Sequence, residues 1–382
     1  MAERGRAPDL SHRGERRAHP TGDALIEPFV YQAAPCRVIF GPGTIRQLPA
    51  ELRRLGSRRA LVLGTPARES QARDVAALLG PDAAGVFAKA RMHTPTAITD
   101  EAMAIVERDH VDGLVAIGGG STTGLAKAIA LRTDLPQVIV PTTYAGSEMT
   151  AILGETQDGI KRTQSSERIR PETVIYDVEL TFALSTTASA MSGMNAIAHA
   201  VEALYARDGN PITSAMALDA IVALSRALPR IIVAPADLSG RTEALYGAWL
   251  AGICLGSVGM ALHHKLCHTL GGMFDLPHAE THAILLPYVL AYNAPAVPDA
   301  MASLAATLGH ADPAAALYEL AKSLGAPRGL GELGMPVEGI DTAAEQALAN
   351  PYWNPRPLEY DAIRRLIGAA WAGEPPTGSG HS

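Results

Sequence analysis

Residues 114–122 have the sequence LVAIGGGST, in which four apolar residues pass through three glycines into two hydroxyl residues. The run Leu114–Ile117 predicts a buried strand, and Thr122–Leu131 predicts the helix that follows it. Glycines at such a junction let the backbone approach a phosphate, and the first N–H groups of the helix then face the anion. The stretch therefore predicts a strand, a phosphate-binding turn and a helix in direct succession.

The same alternation of strand and helix extends to both sides of this stretch. A helix is predicted over Ile98–Arg108, with Thr99 and Asp100 as candidate N-caps. Strands alternating with helices indicate a parallel sheet that is covered on both faces. Further strands are predicted at Ala60–Leu63, Ala84–Phe87 and Val138–Val140.

Beyond Thr186 the pattern becomes helical almost throughout. The long helices predicted there are Ala188–Tyr205, Ile212–Ala227, Gly240–Met260 and His264–Gly272. We therefore predict an α/β N-terminal nucleotide-binding domain with a Rossmann-like parallel sheet, followed by an all-α C-terminal substrate domain, with the site in the cleft between them. The predicted divisions are a disordered extension at 1–24, the α/β domain at 25–185, the helical domain at 186–372 and a flexible tail at 373–382.

Three turns that follow predicted strands are candidates for binding a nicotinamide nucleotide. None has the GxGxxG pattern, but ligands gather at the carboxyl ends of parallel strands, and two glycine- or hydroxyl-rich turns follow successive strands. No Asp follows the first of these strands to accept a ribose hydroxyl, and Arg68 is a candidate partner for a 2′-phosphate. The candidate residues are Gly64, Thr65, Pro66, Gly118, Gly119, Gly120, Ser121, Thr122, Pro141, Thr142, Thr143 and Ser147.

The overall composition excludes several classes of partner. The net charge is −7, which gives no reason to expect nucleic acid or an anionic membrane, and an anionic substrate would need a local cluster of cations. Three cysteines without paired spacing favour a reducing cytoplasm. The uncharged stretch Ala244–Leu262 is rich in small residues and runs into His263, so we interpret it as a buried helix rather than a membrane span.

Histidines form the second notable pattern. Asn195 and His199 share one helix face, and five histidines fall within residues 263–282. Among these five, His264 and His268 share a face, as do His278 and His282. Three histidines with a carboxylate would bind a divalent metal, but Asn195 is neutral and a poor ligand. Alternatively, the imidazoles together with Lys265 could hold substrate carboxylates and protonate an enolate. Both uses remain open, and the residues favour the second.

Five segments in order resemble the iron-containing alcohol dehydrogenase superfamily, over residues 28–372. They are GGGS (Gly118–Ser121), PTTYAGSE (Pro141–Glu148), VIYD (Val174–Asp177), GMNAIAHAVEALY (Gly193–Tyr205) and Leu262–Tyr288, which contains the motifs HHKLCH and LPHAETH. The resemblance implies the dehydroquinate synthase-like fold and a homodimer.

Within that superfamily, the metal-dependent members hold iron or zinc with an Asp and three His. Those positions fall here on Asn195, His199, His264 and His278, so the Asp is missing. Metal-dependent members usually carry Asn at the position of His282, and their PTT turn is one residue longer. These departures resemble the maleylacetate reductase branch.

That branch implies reduction of the dianion maleylacetate to 3-oxoadipate, in the degradation of hydroxyquinol, resorcinol or chlorocatechol, without a required metal. It also implies a nicotinamide cofactor, for which we expect NADH, with NADPH possible. Hydride would add to the carbon β to the ketone, and the resulting enolate would be stabilised and then protonated. We expect His264 and His278 to do this. The residues expected to position carboxylates or support them are His199, Asn195, His263, Lys265 and His268.

Three other functions compete with this one. A metal-dependent alcohol or polyol dehydrogenase on the same fold would use His199, His264 and His278 as ligands. A lyase of the dehydroquinate synthase type shares the two-domain plan, although the missing carboxylate disfavours it. A catalytically silent nucleotide-binding subunit would be expected to have lost part of the histidine set.

Overall fold

The computed structural model describes residues 28–158, 160–350 and 352–376. The chain divides into two units, Met1–Val30 and Tyr31–Ser382. Residues 28–30 are the described part of the first unit, and they form neither helix nor strand. The predicted extension at 1–24, and positions 377–382 of the predicted tail, lie outside the described residues.

The first half of the larger unit contains a parallel sheet of six strands in the order β1-β8-β5-β4-β2-β3, and a separate antiparallel hairpin, β6–β7. The strands are β1 (Arg37–Phe40), β2 (Ala60–Leu63), β3 (Ala83–Phe87), β4 (Gly113–Gly118), β5 (Gln137–Pro141), β6 (Ile152–Gln157), β7 (Ile160–Ser165) and β8 (Thr173–Tyr176).

The four central strands are buried along their whole length, as expected of a parallel sheet covered on both sides. Alternate residues face opposite layers. Leu61 and Leu114 belong to the core shared with the helical half, whereas Val62 and Val115 pack against the two helices of the other face, α1 (Leu48–Arg54) and α2 (Glu69–Leu79).

The helices of the first half are α1 (Leu48–Arg54), α2 (Glu69–Leu79), α3 (Thr96–Arg108) and α4 (Gly120–Thr133). Those of the second half are α5 (Thr186–Leu204), α6 (Pro211–Val233), α7 (Leu238–Ser257), α8 (Leu262–Phe274), α9 (His278–Asn293), α10 (Pro298–Leu308), α11 (Pro313–Ser323), α12 (Gly339–Leu348) and α13 (Tyr360–Ala372).

Small residues let the central helices of the second half approach one another closely. A β-carbon on Gly193 of α5 would lie 2.5 Å from a methyl of Leu228 on α6, and one on Gly247 of α7 would lie 2.8 Å from Leu224 of α6. Both distances are shorter than a carbon–carbon contact allows. These three helices therefore form a tight bundle, and α5 is held rigidly at its centre.

Within the described residues, no single helix combines the length and the apolar character needed to cross a membrane. Helices α7 and α8 meet those criteria only when taken together, and the chain bends by 94° between them. Half of the residues of α7 are buried inside the protein. The uncharged stretch noted in the sequence is thus divided between the end of α7 and the start of α8.

The predicted fold class is confirmed, since a parallel sheet precedes a helical half. The prediction of Thr99 and Asp100 as N-caps is wrong. Helix α3 begins at Thr96, because Pro95 in extended conformation precedes it and already serves as the N-cap residue. Thr99 and Asp100 therefore lie inside the helix.

Two predicted helix ends are also wrong. Helix α6 continues past Ala227 and through Pro229 to Val233, because buried Leu228 and Ile231 keep this turn packed on the core. Helix α7 ends at Ser257 rather than Met260, where Val258 is already extended. Strand β1 and the hairpin β6–β7 were not predicted.

Candidate functional site

The three predicted nucleotide turns lie side by side at one edge of the sheet. They follow β2, β4 and β5, which are neighbours in the sheet. The Thr142 N–H donates to the carbonyl of Gly118 at 2.8 Å. A β-carbon on Gly119 would lie 2.8 Å from Oγ1 of Thr143, and one on Gly120 would lie 3.9 Å from Oγ of Ser147. The structure thus brings the second and third turns into contact.

The glycine turn has the geometry of an anion cradle. Gly118 has φ 144°, which side-chain-bearing residues rarely adopt, and α4 begins two residues later with no acidic residue in its first turn. The first N–H groups of α4 have no carbonyl partner within the helix, so they can donate to an anion. Thr122 is buried and donates from Oγ1 to the carbonyl of Gly119 at 2.8 Å. Its hydroxyl therefore holds the turn together.

The turn after β2 is shaped by close packing. A β-carbon on Gly64 would lie 2.9 Å from Cβ of Ala72, so glycine lets α2 approach the strand end. Thr65 is extended, and Pro66 begins a short 3-10 turn. Arg68, the candidate partner for a 2′-phosphate, donates from Nη2 to the carbonyl of Ala183 at 2.6 Å. Its guanidinium is therefore already engaged by the backbone.

A buried lysine holds the third turn, the one that follows β5, through three hydrogen bonds. Lys127 of α4 donates from Nζ to the carbonyl of Ser147 at 2.6 Å, to Oγ1 of Thr150 at 2.9 Å and to the carbonyl of Ile152 at 3.0 Å. Burial lowers the pKa of Lys127 to about 7. Sequence reasoning did not single out this residue, because a lysine in a helix is usually a surface residue.

Beside Lys127 lies a buried carboxyl group, also missed from the sequence. Glu148 is 1% exposed and accepts a hydrogen bond from the Tyr176 hydroxyl at 2.9 Å. Burial raises the pKa of Glu148. Together these groups fix the end of the turn against β8.

The predicted histidines converge from three helices. Helix α5 supplies Asn195 and His199, α8 supplies His263, His264 and His268, and α9 supplies His278 and His282. The ring centroids are separated by 5.0 Å for His199–His264, 5.0 Å for His264–His282, 4.8 Å for His263–His282, 4.4 Å for His278–His282 and 6.2 Å for His268–His278. We call these six histidines the histidine cluster.

The histidine cluster runs from the interior to the surface. Four members are buried, namely His199, His263, His264 and His282. His268 and His278 are exposed, and their rings are stacked on each other. The cluster is therefore open to solvent at the end formed by this stacked pair, where a small molecule could enter.

The nucleotide turn and the histidine cluster adjoin. Gly146, in the turn after β5, has φ 77°. A β-carbon there would lie 3.3 Å from Nδ1 of His199 and 3.2 Å from Cα of Gly252 on α7. The backbone of the turn thus passes directly beside the first histidine of the cluster, and α7 presses against the same point.

Electrostatics keep the inner histidines neutral. Burial, followed by the charges of neighbouring imidazoles, lowers the pKa of His199 and of His282 well below 6.5. Burial also lowers the pKa of His263 to about 3. Nε2 of His263 and Nδ1 of His282 are 2.9 Å apart, which is a hydrogen bond between two neutral rings.

Two further predicted site residues, Asn195 and Lys265, lie beside the histidine cluster without belonging to it. Asn195 is buried, and its Oδ1 makes no hydrogen bond with any described residue. Lys265 is half-buried, and its Nζ lies 5.5 Å from the centroid of the Tyr352 ring. One position along a helix is a rotation of about 100°, so Lys265 projects to the side of the direction taken by His264.

Two functional candidates were missed or underrated in the sequence. Glu202 of α5 is fully buried beside His264, and His282 lies between His263, His264 and His278. The sequence signal for Glu202 is its place three positions after His199, on the same face of an otherwise uncharged segment, but this spacing does not reveal its burial beside His264. The sequence places His282 on the same helix face as His278, but it was given no role.

The donor set fits a nucleotide better than it fits a metal. The glycine cradle, with free helix N–H groups, suits a pyrophosphate. At the four family metal positions the residues are three imidazoles and the neutral amide of Asn195. The nearby carboxylate of Glu202 already accepts hydrogen bonds on both oxygens. The Asp of the metal-dependent members is thus replaced by a neutral amide, so the set lacks the carboxylate that completes their metal site.

Another group of potential ligands lies deeper. A ring nitrogen from each of His263 and His282 and Sγ of Cys267 all lie within 4.8 Å of one another. Burial raises the pKa of the Cys267 thiol well above 9.0, and the two rings are already hydrogen-bonded to each other. The arrangement is that of a neutral hydrogen-bonded core.

Comparison with known proteins gives a consistent family. The profile described as iron-containing alcohol dehydrogenase matches residues 35–178, and the profile for the C-terminal part of the Fe-containing alcohol dehydrogenase family matches residues 189–371. The maleylacetate reductase of Rhizobium sp. strain MTP-10005 is 55% identical over 351 residues, which is 92% of this chain and 100% of that protein. The maleylacetate reductase of Sphingobium indicum is 55% identical over 91% of this chain and 99% of that protein.

A solved structure agrees with these relatives. The crystal structure of maleylacetate reductase from Agrobacterium tumefaciens is 54% identical, has a TM-score of 0.89, and matches 92% of this chain and 100% of that one. The chain belongs to the iron-containing alcohol dehydrogenase family. Within that family it groups with the maleylacetate reductases, and the alternative of a metal-dependent alcohol or polyol dehydrogenase is not favoured.

Proposed function

We propose that the protein reduces the conjugated C=C bond of maleylacetate to give 3-oxoadipate, with NADH as the preferred electron donor and NADPH as a possible one. The observation that carries the proposal is the contact between Gly146 and His199, which sets the nucleotide turn beside the histidine cluster. The relatives named as maleylacetate reductases support the choice of substrate.

The turns at the sheet edge are suited to hold the nucleotide. Gly118–Thr122 would hold the pyrophosphate at the start of α4, and Thr142, Thr143 and Ser147 would offer hydroxyls beside it. When bound, the reduced nicotinamide supplies a hydride to the substrate carbon β to the ketone. Lys127 keeps the turn that contains Ser147 in place from beneath.

The histidine cluster is suited to manage the charge that hydride addition creates. Addition to the conjugated bond places negative charge on the ketone oxygen as an enolate, which needs a hydrogen-bond donor there and a proton at the adjacent carbon. His264 lies among the other rings and His278 lies at the open end. We assign enolate stabilisation and proton supply to these two residues.

The other predicted site residues would bind and position the dianion or support those that do. His268 stacks on His278 at the exposed end, where a carboxylate could be met as it enters. Asn195 and His199 each present a buried polar atom with no hydrogen bond to a described residue, so both can bind substrate at little desolvation cost. His263 supports His282 from behind, and Lys265 is assigned to the rim.

This chemistry does not require a Lewis-acid metal. An enone accepts hydride when a hydrogen-bond donor polarises its ketone, and the cluster is built from such donors. The donor set at Asn195, His199, His264 and His278 lacks the carboxylate that would favour iron or zinc. We therefore propose that turnover is independent of bound metal.

Three further proposals concern the whole chain. The α/β nucleotide domain would extend over residues 25–185 and the helical substrate domain over 186–372. The protein would act in the cytoplasm, as its three unpaired cysteines suggest. It would assemble as a homodimer, as the family resemblance implies, and sedimentation would report twice the mass of 40.0 kDa in that case.

The function is tested by following loss of NADH absorbance with freshly prepared maleylacetate, with and without EDTA, together with metal analysis of the purified protein. We expect turnover that EDTA leaves unchanged and no stoichiometric iron or zinc. Absence of turnover with tight NADH binding would indicate a silent nucleotide-binding protein. Loss of activity with EDTA and its return with added metal would contradict the metal-independent part.

A further inference from the structure

Glu202 is a buried carboxylate at the centre of the helical half. It is fully buried on α5, three positions after His199, and no other charged residue lies on that helix. A carboxylate without solvent is costly unless several donors surround it. Its partners therefore indicate what it does.

The donors to Glu202 all come from the first residues of α8. Its Oε2 accepts from the N–H of Ala261 at 3.0 Å, and its Oε1 accepts from the N–H of His263 at 2.8 Å. These N–H groups belong to the start of a helix and have no partner within it. Glu202 thus fixes the position of α8, and with it the backbone of His264.

The third contact is with a side chain. Oε2 of Glu202 lies 2.6 Å from Nδ1 of His264, and both groups are buried. Backbone N–H groups already donate to both carboxylate oxygens, and the helix N-terminus favours negative charge there. The hydrogen bond therefore runs from the ring to the carboxylate, with the proton on Nδ1.

A proton held on Nδ1 determines what His264 can offer elsewhere. Its other nitrogen, Nε2, is buried and makes no hydrogen bond with any described residue. The centroid of the His264 ring lies 5.0 Å from that of His199 and 5.0 Å from that of His282. The hydrogen bond to Glu202 further restricts rotation of the ring about its side-chain bonds. Nε2 is then the atom through which His264 meets a ligand. It accepts a hydrogen bond when the ring is neutral, and it donates to the enolate oxygen only when the ring holds a second proton, a form that the Glu202 carboxylate stabilises.

We infer that Glu202 is a positioning residue, which holds the proton on Nδ1 of His264 and aims Nε2 at the substrate. The inference rests on the proposed function, since His264 is its reacting partner. The arrangement follows the general pattern in which a buried carboxylate fixes the tautomer of a catalytic histidine.

A glutamine at this position cannot reproduce the contacts. If its amide nitrogen replaces Oε2, it faces the Ala261 N–H donor and would donate to Nδ1, which moves the ring proton to Nε2. If it replaces Oε1, it faces the His263 N–H donor instead. In either orientation a buried N–H group loses its acceptor.

The first test measures the wild-type protein itself. Nitrogen NMR of protein selectively labelled in histidine, with His264→Gln used to assign the signal, reports which ring nitrogen carries the proton. We expect a protonated Nδ1. A neutral ring with its proton on Nε2 would overturn the inference, whether or not the protein turns over maleylacetate.

The second test is a double-mutant cycle on turnover. We expect Glu202→Gln to lower kcat by on the order of 10²-fold while NADH affinity stays within about threefold. In the His264→Gln background the same change should alter kcat by less than about threefold, because its partner is gone. Equal losses in both backgrounds would show a purely structural role.

A matched control separates positioning from capping. Asp208 accepts from the N–H of Gly259, two residues before Ala261, without contacting a histidine. Asp208→Asn should therefore leave kcat near the wild-type value. If the wild-type enzyme shows no turnover, the proposed function fails, whereas the NMR result still decides the role of Glu202.

Discussion

At the residue scale, the proposed reaction depends on two imidazoles with different surroundings. His264 is buried and held by Glu202, whereas His278 is exposed and stacked with His268. A buried, oriented ring suits hydrogen bonding to a developing oxyanion, and an exposed ring can recover a proton from solvent. This division of labour leads to the first prediction.

Replacing either ring should impair chemistry more than binding. We expect His264→Ala and His278→Ala each to lower kcat by at least about 10²-fold, because a donor to the enolate is lost. NADH affinity, measured by fluorescence, should stay near normal, since the nucleotide turns are untouched. Near-normal turnover in both variants would reject the assignment.

The residue scale also shows where sequence reasoning stopped. The i, i+4 spacing of histidines correctly indicated shared helix faces, and the family resemblance aligned α5, α8 and α9. Glu202 was passed over because a glutamate in a helix is ordinarily solvated. Its burial follows from the meeting of α5 with the start of α8, 59 residues apart in sequence, and that pairing is not encoded locally.

At the scale of elements, α7 connects the nucleotide turn with the helical half. A β-carbon on Gly252 would lie 3.1 Å from both Cα and the carbonyl oxygen of Gly146, and one on Gly256 would lie 2.6 Å from the carbonyl oxygen of Met149. In sequence these two glycines resemble a membrane helix-pairing motif. In the structure they let α7 pack directly on the turn after β5.

Closing that contact should disturb nucleotide binding. Gly252→Ala places a methyl group against backbone atoms, so the turn must move, and we expect stability to fall by about 1–3 kcal/mol and NADH affinity to fall measurably. Gly368→Ala on α13, where a β-carbon meets nothing within 4 Å, is the matched control and should not lower stability. Equal behaviour of the two variants would disprove the role of this contact.

Lys127 gives a second prediction for the same turn. Lys127→Met keeps the length of the side chain but leaves the carbonyls of Ser147 and Ile152 without their buried donor. We expect a loss of about 1–3 kcal/mol in unfolding free energy and weaker NADH binding. Lys322→Met, at an exposed lysine, controls for the charge change and should alter neither. Unchanged NADH affinity in Lys127→Met would contradict the anchoring role.

Elements with a clear hydrophobic pattern in the sequence could be predicted, whereas elements set by contacts between distant residues could not. The continuous apolar runs of β2, β4 and β5 identified the sheet. Strand β1 was missed because it is an edge strand whose outer residues are polar or half-exposed, so its pattern is weak. Helix α6 continues through Pro229, because the packing of buried Leu228 and Ile231 on the core outweighs the tendency of proline to end a helix.

At the scale of the whole molecule, the buried histidines make stability depend on pH. Burial lowers the pKa of His199, His263 and His282 in the folded state, whereas the unfolded chain has values near 6.5. Below about pH 6.5 the unfolded chain therefore binds more protons than the folded protein, and stability falls as the pH falls. Above that value all three groups are neutral in both states and add no dependence.

Each such group removes about 1.4 kcal/mol of unfolding free energy per pH unit in this window, down to the folded pKa. Urea unfolding at several pH values, in EDTA, should show this slope. Relative to the wild-type protein under the same conditions, His282→Asn should reduce the slope by about one proton. An unchanged slope in His282→Asn would indicate that this ring is charged in the folded protein.

The fold joins the edge of the sheet that carries the nucleotide turns to the histidine cluster. The sequence indicated both halves through the order of their motifs, but their contact at Gly146 and His199 requires the fold, because those residues lie on separate elements. That contact places hydride delivery and enolate stabilisation at one site. The central claim is therefore reduction at carbon, with the ketone retained.

Isotope transfer tests this claim most directly. Maleylacetate is reduced with NADH that carries deuterium in the transferred position, and the product is examined by NMR. The account predicts 3-oxoadipate with deuterium on the carbon β to an intact ketone. Deuterium on a carbinol carbon, with the C=C bond retained, would contradict the account and would place the chemistry with the alcohol dehydrogenases.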